Sequence, residues 1–573
     1  MSGRLAFLYP EIALFVATCV VMVLGLSRTL KARKASAWVA GLGLVAAGVL
    51  AMASTPRMGQ ASCPISGFVY HDGLTPAMGQ VVLAEMVPYV KVMIAGIGLL
   101  LLLTMAGTVD REDEARIAAG QAVFDPLRSN RAEFYAFVLF SLTGLMLTAS
   151  ADDLIWLFLA LELTSLPTYI MVAISTARNR SREAAVKYFF LGALGAAIFL
   201  YGFALMYGGT GHTNLNAIAQ HFREHGVSTL SMAGVLLAVF GLCFKIAAVP
   251  MHFYTPDVYE GAAPQVSGFL AFVPKTAGFV ALLLIVGAVG WEYAGHSAGV
   301  TSLFAGDGME PVKHAAGGRQ LPELLRLTLW VIAALTMTVG NVLALLQSSV
   351  KRVLAYSSIA HSGYMLVGLI AGPVGSTFTT NGVSAILFYL AAYGVMNTGA
   401  FAVLAALERG RDAEGHVGEA ESFDDLRGLC ASRPMLGWVL VVCSLSLLGL
   451  PPLLGFFGKL PLFSVGIAAG EIPLVIVLGL NSAIAAYYYL RLAFTPLLDA
   501  KDEGSAAIQA APFKGRAVAA ALSAAGVLVL SLAGGWLMTK AAHAGAYYPS
   551  APVKAESAPI SDEPAPLPND VHE

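Results

Sequence analysis

Charge is what this sequence has least of. Only 12% of its 573 residues are Asp, Glu, Lys or Arg, about half the share of a soluble domain. Hydrophobic residues make up 57% and the mean hydropathy is +0.72. That balance excludes a water-soluble globule and describes a chain that lives in a bilayer. The 34 basic residues nearly cancel the 36 acidic ones, so no bulk field draws nucleic acid or a strongly acidic partner. Cysteine is also sparse. Cys19, Cys63, Cys243, Cys430 and Cys443 are scattered, with no CxxC pair and no histidine at ligand spacing, which argues against iron-sulfur, haem-attachment and zinc sites. Glycine-rich phosphate loops of the GxGxxG or Walker type are missing as well, so no nucleotide, redox cofactor or metal is expected within the chain. The N-terminal stretch MSGRLAFLYPEIALFVATCVVMVLGL lacks a basic flank and an A-x-A site, and reads as a retained first helix.

What the sequence does have is apolar segments of about 20 residues, enough to cross a hydrocarbon core of roughly 30 Å. They predict helices near residues 6–26, 36–54, 83–107, 132–150, 153–176, 184–208, 230–249, 265–289, 323–346, 351–371, 382–407, 435–465, 471–495 and 515–538. The expectation is an all-α polytopic membrane protein with about 14 transmembrane helices. Basic residues supply an independent check, because short cytoplasmic loops are enriched in Lys and Arg. Every second loop is basic: around Arg28 to Lys34, Arg111 to Arg131, Arg178 to Arg182, Lys351 and Arg352, Arg409 to Arg433, and Lys501 to Arg516. The loops SADDL and GPVGSTFTTNG between them carry no basic residue. Both termini are therefore expected on the non-cytoplasmic side. One segment breaks the rule: TPDVYEGAAP falls on the cytoplasmic side without Lys or Arg, which predicts that it folds back into protein. The tail after His543 is rich in Pro, Ala and acidic residues and is expected to stay disordered.

Ionisable residues inside the spans each need a reason, since one costs roughly 2.5 to 3.5 kcal/mol at a helix centre. Glu162 stands alone in LIWLFLALELTSLPTY, about two and a half turns from Asp153. Lys245 lies deep in the seventh span, Lys275 about three turns into the eighth, and Lys459 in GFFGKLPLF of the twelfth. Such a set points to a proton or transport pathway, although static ion pairs and snorkelling would also accommodate lysines. Lys187 and Lys351 sit nearer span ends, where both readings stay open, as they do for His361. Glu11, Lys91 and Glu471 at span ends read as structural. At an effective dielectric near 20, an ion pair is worth roughly 4 kcal/mol at about 4 Å and roughly 2.4 at about 7 Å. The difference exceeds the roughly 1.4 kcal/mol of one pKa unit, so a small carboxylate displacement can switch a buried amine between holding and releasing a proton.

Two of these spans are interrupted. The seventh breaks at Pro250 beside Lys245 and His252, the twelfth at Pro451 and Pro452 before Lys459. A proline in mid-span frees backbone groups, which is tolerable only where protein or a water-filled cavity re-satisfies them. Five spans separate the two breaks, and an odd offset reverses their direction, the pattern of two inverted halves around a transport site.

The stretches LALELTSLPTYIMVA, SREAAVKYFFLGALGAAIFLYGFALMYG, FKIAAVPMHFYTPDVYEGAAPQVSGFLA, VKRVLAYSSIAHSGYMLVGL and LLGLPPLLGFFGKLPLF closely resemble the subunit N family of proton-pumping NADH:quinone oxidoreductases, respiratory complex I. TPDVYEGAAP is the most specific piece. The resemblance implies an antiporter-like fold with two inverted five-helix repeats and two discontinuous helices. In domain terms this gives an N-terminal three-helix segment (1–110), a first repeat (132–290), a second (322–496), a C-terminal helix (515–540) and a tail (541–573). It also implies a proton relay of Glu162, Lys245, Lys275 and Lys459, with Lys187, His252 and His361 at positions resembling connecting polar sites. Cofactors (NADH, flavin, iron-sulfur clusters and quinone) are implied only for partner subunits. The implied partners are the other membrane-arm subunits and lipid, and the implied location is the plasma membrane of a bacterium. The sequence departs from the family at Pro274, directly before Lys275, at GAAPQVS where GAPAPVS is usual, and in a longer loop over 291–320. The alternatives are a subunit of a multisubunit cation/proton antiporter and a non-pumping assembly scaffold.

Overall fold

A computed structural model describes residues 8–53, 86–291, 321–499 and 508–545, apart from 122, 126–128, 177, 376 and 412–416. The 291–320 loop beyond Trp291 and the tail after Gly545 lie outside the described residues. The described residues are helical almost throughout. In order run α1 (Tyr9–Gly25), α2 (Leu30–Ala53), α3 (Met86–Thr104), the short α4 (Arg111–Ala118), α5 (Arg131–Ala149), α6 (Leu154–Ile174), α7 (Asn179–Thr210), the surface helix α8 (Leu215–His225) and α9 (Thr229–Lys245). Then follow α10 (Thr255–Gly261), α11 (Pro264–Val289), α12 (Glu323–Leu345), α13 (Val350–Ala371) and α14 (Gly382–Ala405). A hairpin of β1 (Leu407–Arg411) and β2 (Val417–Glu419) leads to α15 (Leu429–Ser432), α16 (Pro434–Leu448), α17 (Leu454–Ala468) and α18 (Ile472–Leu498). The chain closes with β3 (Gln509–Ala510), α19 (Lys514–Leu532) and α20 (Gly534–Ala544).

Among the described residues eleven helices are long and apolar enough to cross a membrane, or twelve if α16 and the bent segment before it count as one. Each of the fourteen expected segments holds a helix; the difference comes from α1 and from the two interrupted segments, which are split into pieces too short to count alone. The starts are fixed locally. Asp153 caps α6 by accepting from the amides of Ile155 and Trp156, and Ser228 caps α9 through Ser231. α7 begins five residues before its expected start and carries its first charged turns beyond the apolar stretch.

The arrangement has a buried centre and an apolar outside. α11 and α14 are buried at every residue, whereas Val23, Trp38, Phe190 and Leu532 stand out from α1, α2, α7 and α19, as befits faces turned to lipid. Because hydrocarbon does not drive helices together, close packing by small residues does. A Cβ on Gly202 of α7 would lie 2.4 Å from the Ala238 nitrogen, and one on Gly241 of α9 2.5 Å from the Phe199 nitrogen. α7 and α9 thus touch backbone to backbone, and this seats Lys245 at the end of α9.

The sheet, of order β2-β1-β3, was not anticipated. Its cross-strand partners Glu408 and Glu419 carry like charge, an arrangement that destabilises unless compensated. Arg111 reaches Glu408 at 2.8 Å and Lys351 reaches Glu419 at 2.7 Å. The segment TPDVYEGAAP does fold into protein: Thr255, Pro256, Val258, Tyr259 and the run from Gly261 to Pro264 are buried. Neighbouring elements supply the positive charge it lacks, Arg352 meeting Asp257 and Glu260 at 2.9 Å and Arg180 meeting Glu260 at 2.5 Å.

Candidate functional site

Both expected breaks are present. α9 stops at Lys245 and no helix resumes before Thr255; α16 stops at Leu448 and α17 starts at Leu454. Proline offers no amide to continue either helix, and the groups set free find specific partners. Ser362 donates to the Ile246 carbonyl at 2.5 Å, Tyr254 to the Phe244 carbonyl at 2.7 Å, and the Val249 amide donates to Thr336 Oγ1 at 2.9 Å. At the second break Lys459 itself does this, its amine donating to the Leu448 carbonyl at 2.7 Å.

The four ionisable residues singled out from the sequence converge on one buried band. The Lys245 amine lies 3.2 Å from Glu162 Oε1 and 2.5 Å from Ser165 Oγ, and 5.6 Å from the centre of the Phe199 ring. Its side chain is 1% exposed, that of Glu162 19%. A cavity lined by Tyr188, Ala247, Tyr254, Tyr259 and Pro274 opens between Lys245 and Lys275; it has room for about one water molecule. Lys275 donates to the backbone oxygen of Ser358 and to its hydroxyl at 2.5 Å, and its amine stands 5.2 Å from the Tyr393 ring centre. Pro274 therefore does not turn Lys275 away from the band; it forms part of the cavity wall.

His361 continues the line. Its ring centroid is 5.1 Å from that of Tyr393 and 5.5 Å from that of Tyr364, and the Lys459 amine is 5.0 Å from the Tyr364 ring centre. Nδ1 of His361 lies 2.5 Å from the Tyr389 hydroxyl and Nε2 2.6 Å from the Tyr489 hydroxyl, which also bonds Ser357. A neutral imidazole donates from one nitrogen and accepts at the other, so one tyrosine gives and the other receives. Exchanging the tautomer reverses both bonds.

Two candidates sit apart from this band. Lys187 is 45% exposed and pairs with Glu183 at 2.8 Å and Asp257 at 3.2 Å. His252 is half-buried in the first break, and its buried Nδ1 has no partner among the described residues. Lys351 does not snorkel: wholly buried, it donates to the Ala262 carbonyl at 3.0 Å and to Glu419. Glu11 pairs with Lys91 at 2.7 Å, and Glu471 with Arg326, all four buried. Sequence reasoning missed Ser165, Ser358, Tyr364, Tyr389, Tyr393 and Tyr489. It also missed the amide cluster in which Asn341 donates to Tyr364 at 2.9 Å and to Asn481 at 3.3 Å. Hydroxyls and amides are common in apolar spans; the available signal was spacing, with Ser358, His361 and Ser362 on one face of α13 and Tyr389 and Tyr393 one turn apart on α14. No group of three or more His, Cys, Asp or Glu among the described residues is placed to hold a metal ion.

The sequence model of the NADH:quinone oxidoreductase/Mrp antiporter membrane family matches residues 151–308 and 322–485. NADH-quinone oxidoreductase subunit N of Bdellovibrio bacteriovorus is 38% identical over 405 residues, covering 70% of this chain and 76% of that protein. The subunit N of Rhodospirillum rubrum is 35% identical over 487 residues, 84% and 85% of the two chains. The chain belongs to the NADH-quinone oxidoreductase subunit N family. A chain of respiratory complex I from Thermus thermophilus superposes with a TM-score of 0.67 at 30% identity, covering 93% of this chain and 99% of that one. A chain of the Mrp complex from Dietzia gives 0.68 at 19% identity, with 95% and 97% covered, and that likeness speaks for the antiporter-like fold alone. In this member of the subunit N family, the buried band just described reaches from Lys245 at the first helix break to Lys459 at the second.

Proposed function

We propose that this chain is a proton-translocating membrane-arm subunit of a bacterial NADH:quinone oxidoreductase, moving protons through Glu162, Lys245, Lys275, His361 and Lys459 while quinone reduction proceeds in other subunits. One observation carries this reading: Glu162, Lys245, the water-sized cavity, Lys275, Tyr393, His361, Tyr364 and Lys459 follow one another in contact, almost all of them buried. The charge balance supports it. Within 4 Å of the three buried amines the described residues offer a single carboxylate, Glu162 beside Lys245. Three ammonium groups with one carboxylate between them in a low-dielectric interior repel one another and forfeit solvation, so protons in the band are shared rather than fixed. A static scaffold would pair each amine, as Lys91, Arg326 and Lys351 are paired elsewhere in the chain.

In this reading Glu162 tunes Lys245, the cavity water carries protons on to Lys275, and the His361 tautomer passes them toward Lys459. Lys187 and His252, near the open end of the first break, are the connection toward the basic loops, which face the cytoplasm, with both termini on the opposite side. NADH, flavin, iron-sulfur clusters and quinone belong to partner subunits. The test is proton pumping alongside NADH:quinone electron transfer in membranes carrying Lys245→Ala, with assembly of the complex verified. Loss of pumping in the assembled variant is expected; wild-type pumping would leave the scaffold reading in its place.

A further inference from the structure

The break beside Lys245, which lies in the first half of the chain, is held shut by hydroxyls of the second half. From Ile246 to Tyr254 the backbone is not helical, and within that stretch Ala247 adopts φ 55°, a left-handed conformation that a residue with a Cβ visits rarely. Ala247 lines the cavity between Lys245 and Lys275. On either side of it the freed backbone groups are engaged from α13 and α12: the Ile246 carbonyl by Ser362, the Val249 amide by Thr336. Both hydroxyl residues are fully buried. α11 closes the remaining side, since a Cβ on Gly278 would lie 2.9 Å from the Lys245 Cβ. The first atom of the Lys245 side chain is thus seated against α11, and the turn that follows it is tied to α12 and α13.

We propose that Thr336 and Ser362 are positioning residues that hold this turn and so set the reach of the Lys245 amine between Glu162 and the cavity. The inference rests on the relay reading above and adds that the two halves communicate through backbone, not only through a line of titrating groups. The geometry gives the reason. The turn keeps its shape through its own bonds, the Ala247 and Ala248 amides donating to the Phe244 and Cys243 carbonyls at 3.1 and 2.8 Å; the two hydroxyls fix where it sits against α12 and α13, and without them Lys245, two residues before Ala247, moves with it. The same helix α13 also holds Lys275 through Ser358 and the Ala262 carbonyl through Lys351. A shift of α13 relative to α9 therefore changes the surroundings of both lysines at once.

The experiment uses the whole complex in membranes. Thr336→Val keeps the side-chain shape and loses the hydroxyl; Thr336→Ser keeps the hydroxyl and loses a methyl; Ser362→Ala removes the second bond. Coupled turnover per assembled complex and protons moved per NADH oxidised are measured for each and for Lys245→Ala. Thr336→Val with Ser362→Ala lowers coupled turnover about tenfold, since a displacement near 1 Å at a reacting group has effects of that order or larger, and Thr336→Ser stays near wild type. Wild-type turnover in the assembled double variant, with Lys245→Ala inactive, overturns the proposal and leaves the relay standing. A loss that follows only the amount of assembled complex, or that Thr336→Ser shares, makes the hydroxyls structural and overturns it too. Should Lys245→Ala pump normally, the relay falls and this inference with it.

Discussion

Glu162 and Ala247 illustrate how a single side chain decides the chemistry of the band. Glu162 faces a lysine whose side chain is 1% exposed, and removing one member of a buried pair leaves the other charge uncompensated, at a cost of about 3 to 5 kcal/mol. Glu162→Gln is therefore expected to abolish coupled turnover in an assembled complex, while Glu162→Asp keeps part of it. Ser165→Ala removes one hydrogen bond to the same amine, worth about 1.5 to 3 kcal/mol, and should lower turnover without abolishing it. Steady-state NADH:quinone activity of the three variants checks the ranking, and a Ser165→Ala effect as large as Glu162→Gln would contradict it. At Ala247 the left-handed backbone costs roughly 1 to 2 kcal/mol, against roughly 0.5 to 1 for the extra freedom of glycine in the unfolded chain. Ala247→Gly should leave the thermal midpoint of the complex unchanged or slightly raised, and Ala247→Val should lower it by several degrees. The ionisable residues were legible in the sequence because a charge in an apolar run demands an explanation. Ser358, Tyr389 and Tyr489 were not, because serine and tyrosine sit in many spans for packing, and only the fold reveals that these three converge on Lys275 and His361.

At the scale of elements, the same logic explains what the sequence conveyed about helices. Long apolar runs and mid-span prolines announced where the long helices lie and both interruptions, since hydrocarbon admits few other structures. The places where the helices stop, Lys245 and Leu448, lie before the prolines by several residues, because a proline also disfavours helix in the residue preceding it and strips a bond from the turn below. The surface helix α8 and the strands β1 to β3 escaped notice: they are short, polar and held by contacts distant in sequence, such as Lys351 with Glu419. What seats Lys245 is the contact of α7 with α9. Gly202→Leu or Gly241→Leu would drive a branched side chain into the opposite backbone, where even a Cβ comes within 2.4 to 2.5 Å. Either substitution should reduce the chain recovered in assembled complex by native gel electrophoresis to a small fraction of wild type. Normal recovery of both would mean that the two backbones are not in contact.

For the whole molecule, the question is whether the two halves form one path or two. The buried band steps from Glu162 to Lys245, across the water-sized cavity to Lys275, and by ring contacts of 5.0 to 5.5 Å through Tyr393, His361 and Tyr364 to Lys459. If protons travel along it in series, a block at either place stops the same flow. Lys245→Ala and His361→Gln combined should then pump no less than the worse of the two alone, since residues acting as one unit are strongly non-additive. Two independent paths, one through each break, would instead leave residual pumping in each single variant and add the two losses in the double. Proton pumping in vesicles, normalised to assembled complex, distinguishes these outcomes. His361→Gln keeps a donor and an acceptor in the membrane interior but cannot exchange tautomers between the Tyr389 and Tyr489 hydroxyls. Its failure to pump, with assembly intact, would locate the transfer at the imidazole itself. Unimpaired pumping by His361→Gln would show that the tyrosine hydroxyls and water suffice, and that the histidine serves only to hold α13 against α14 and α18.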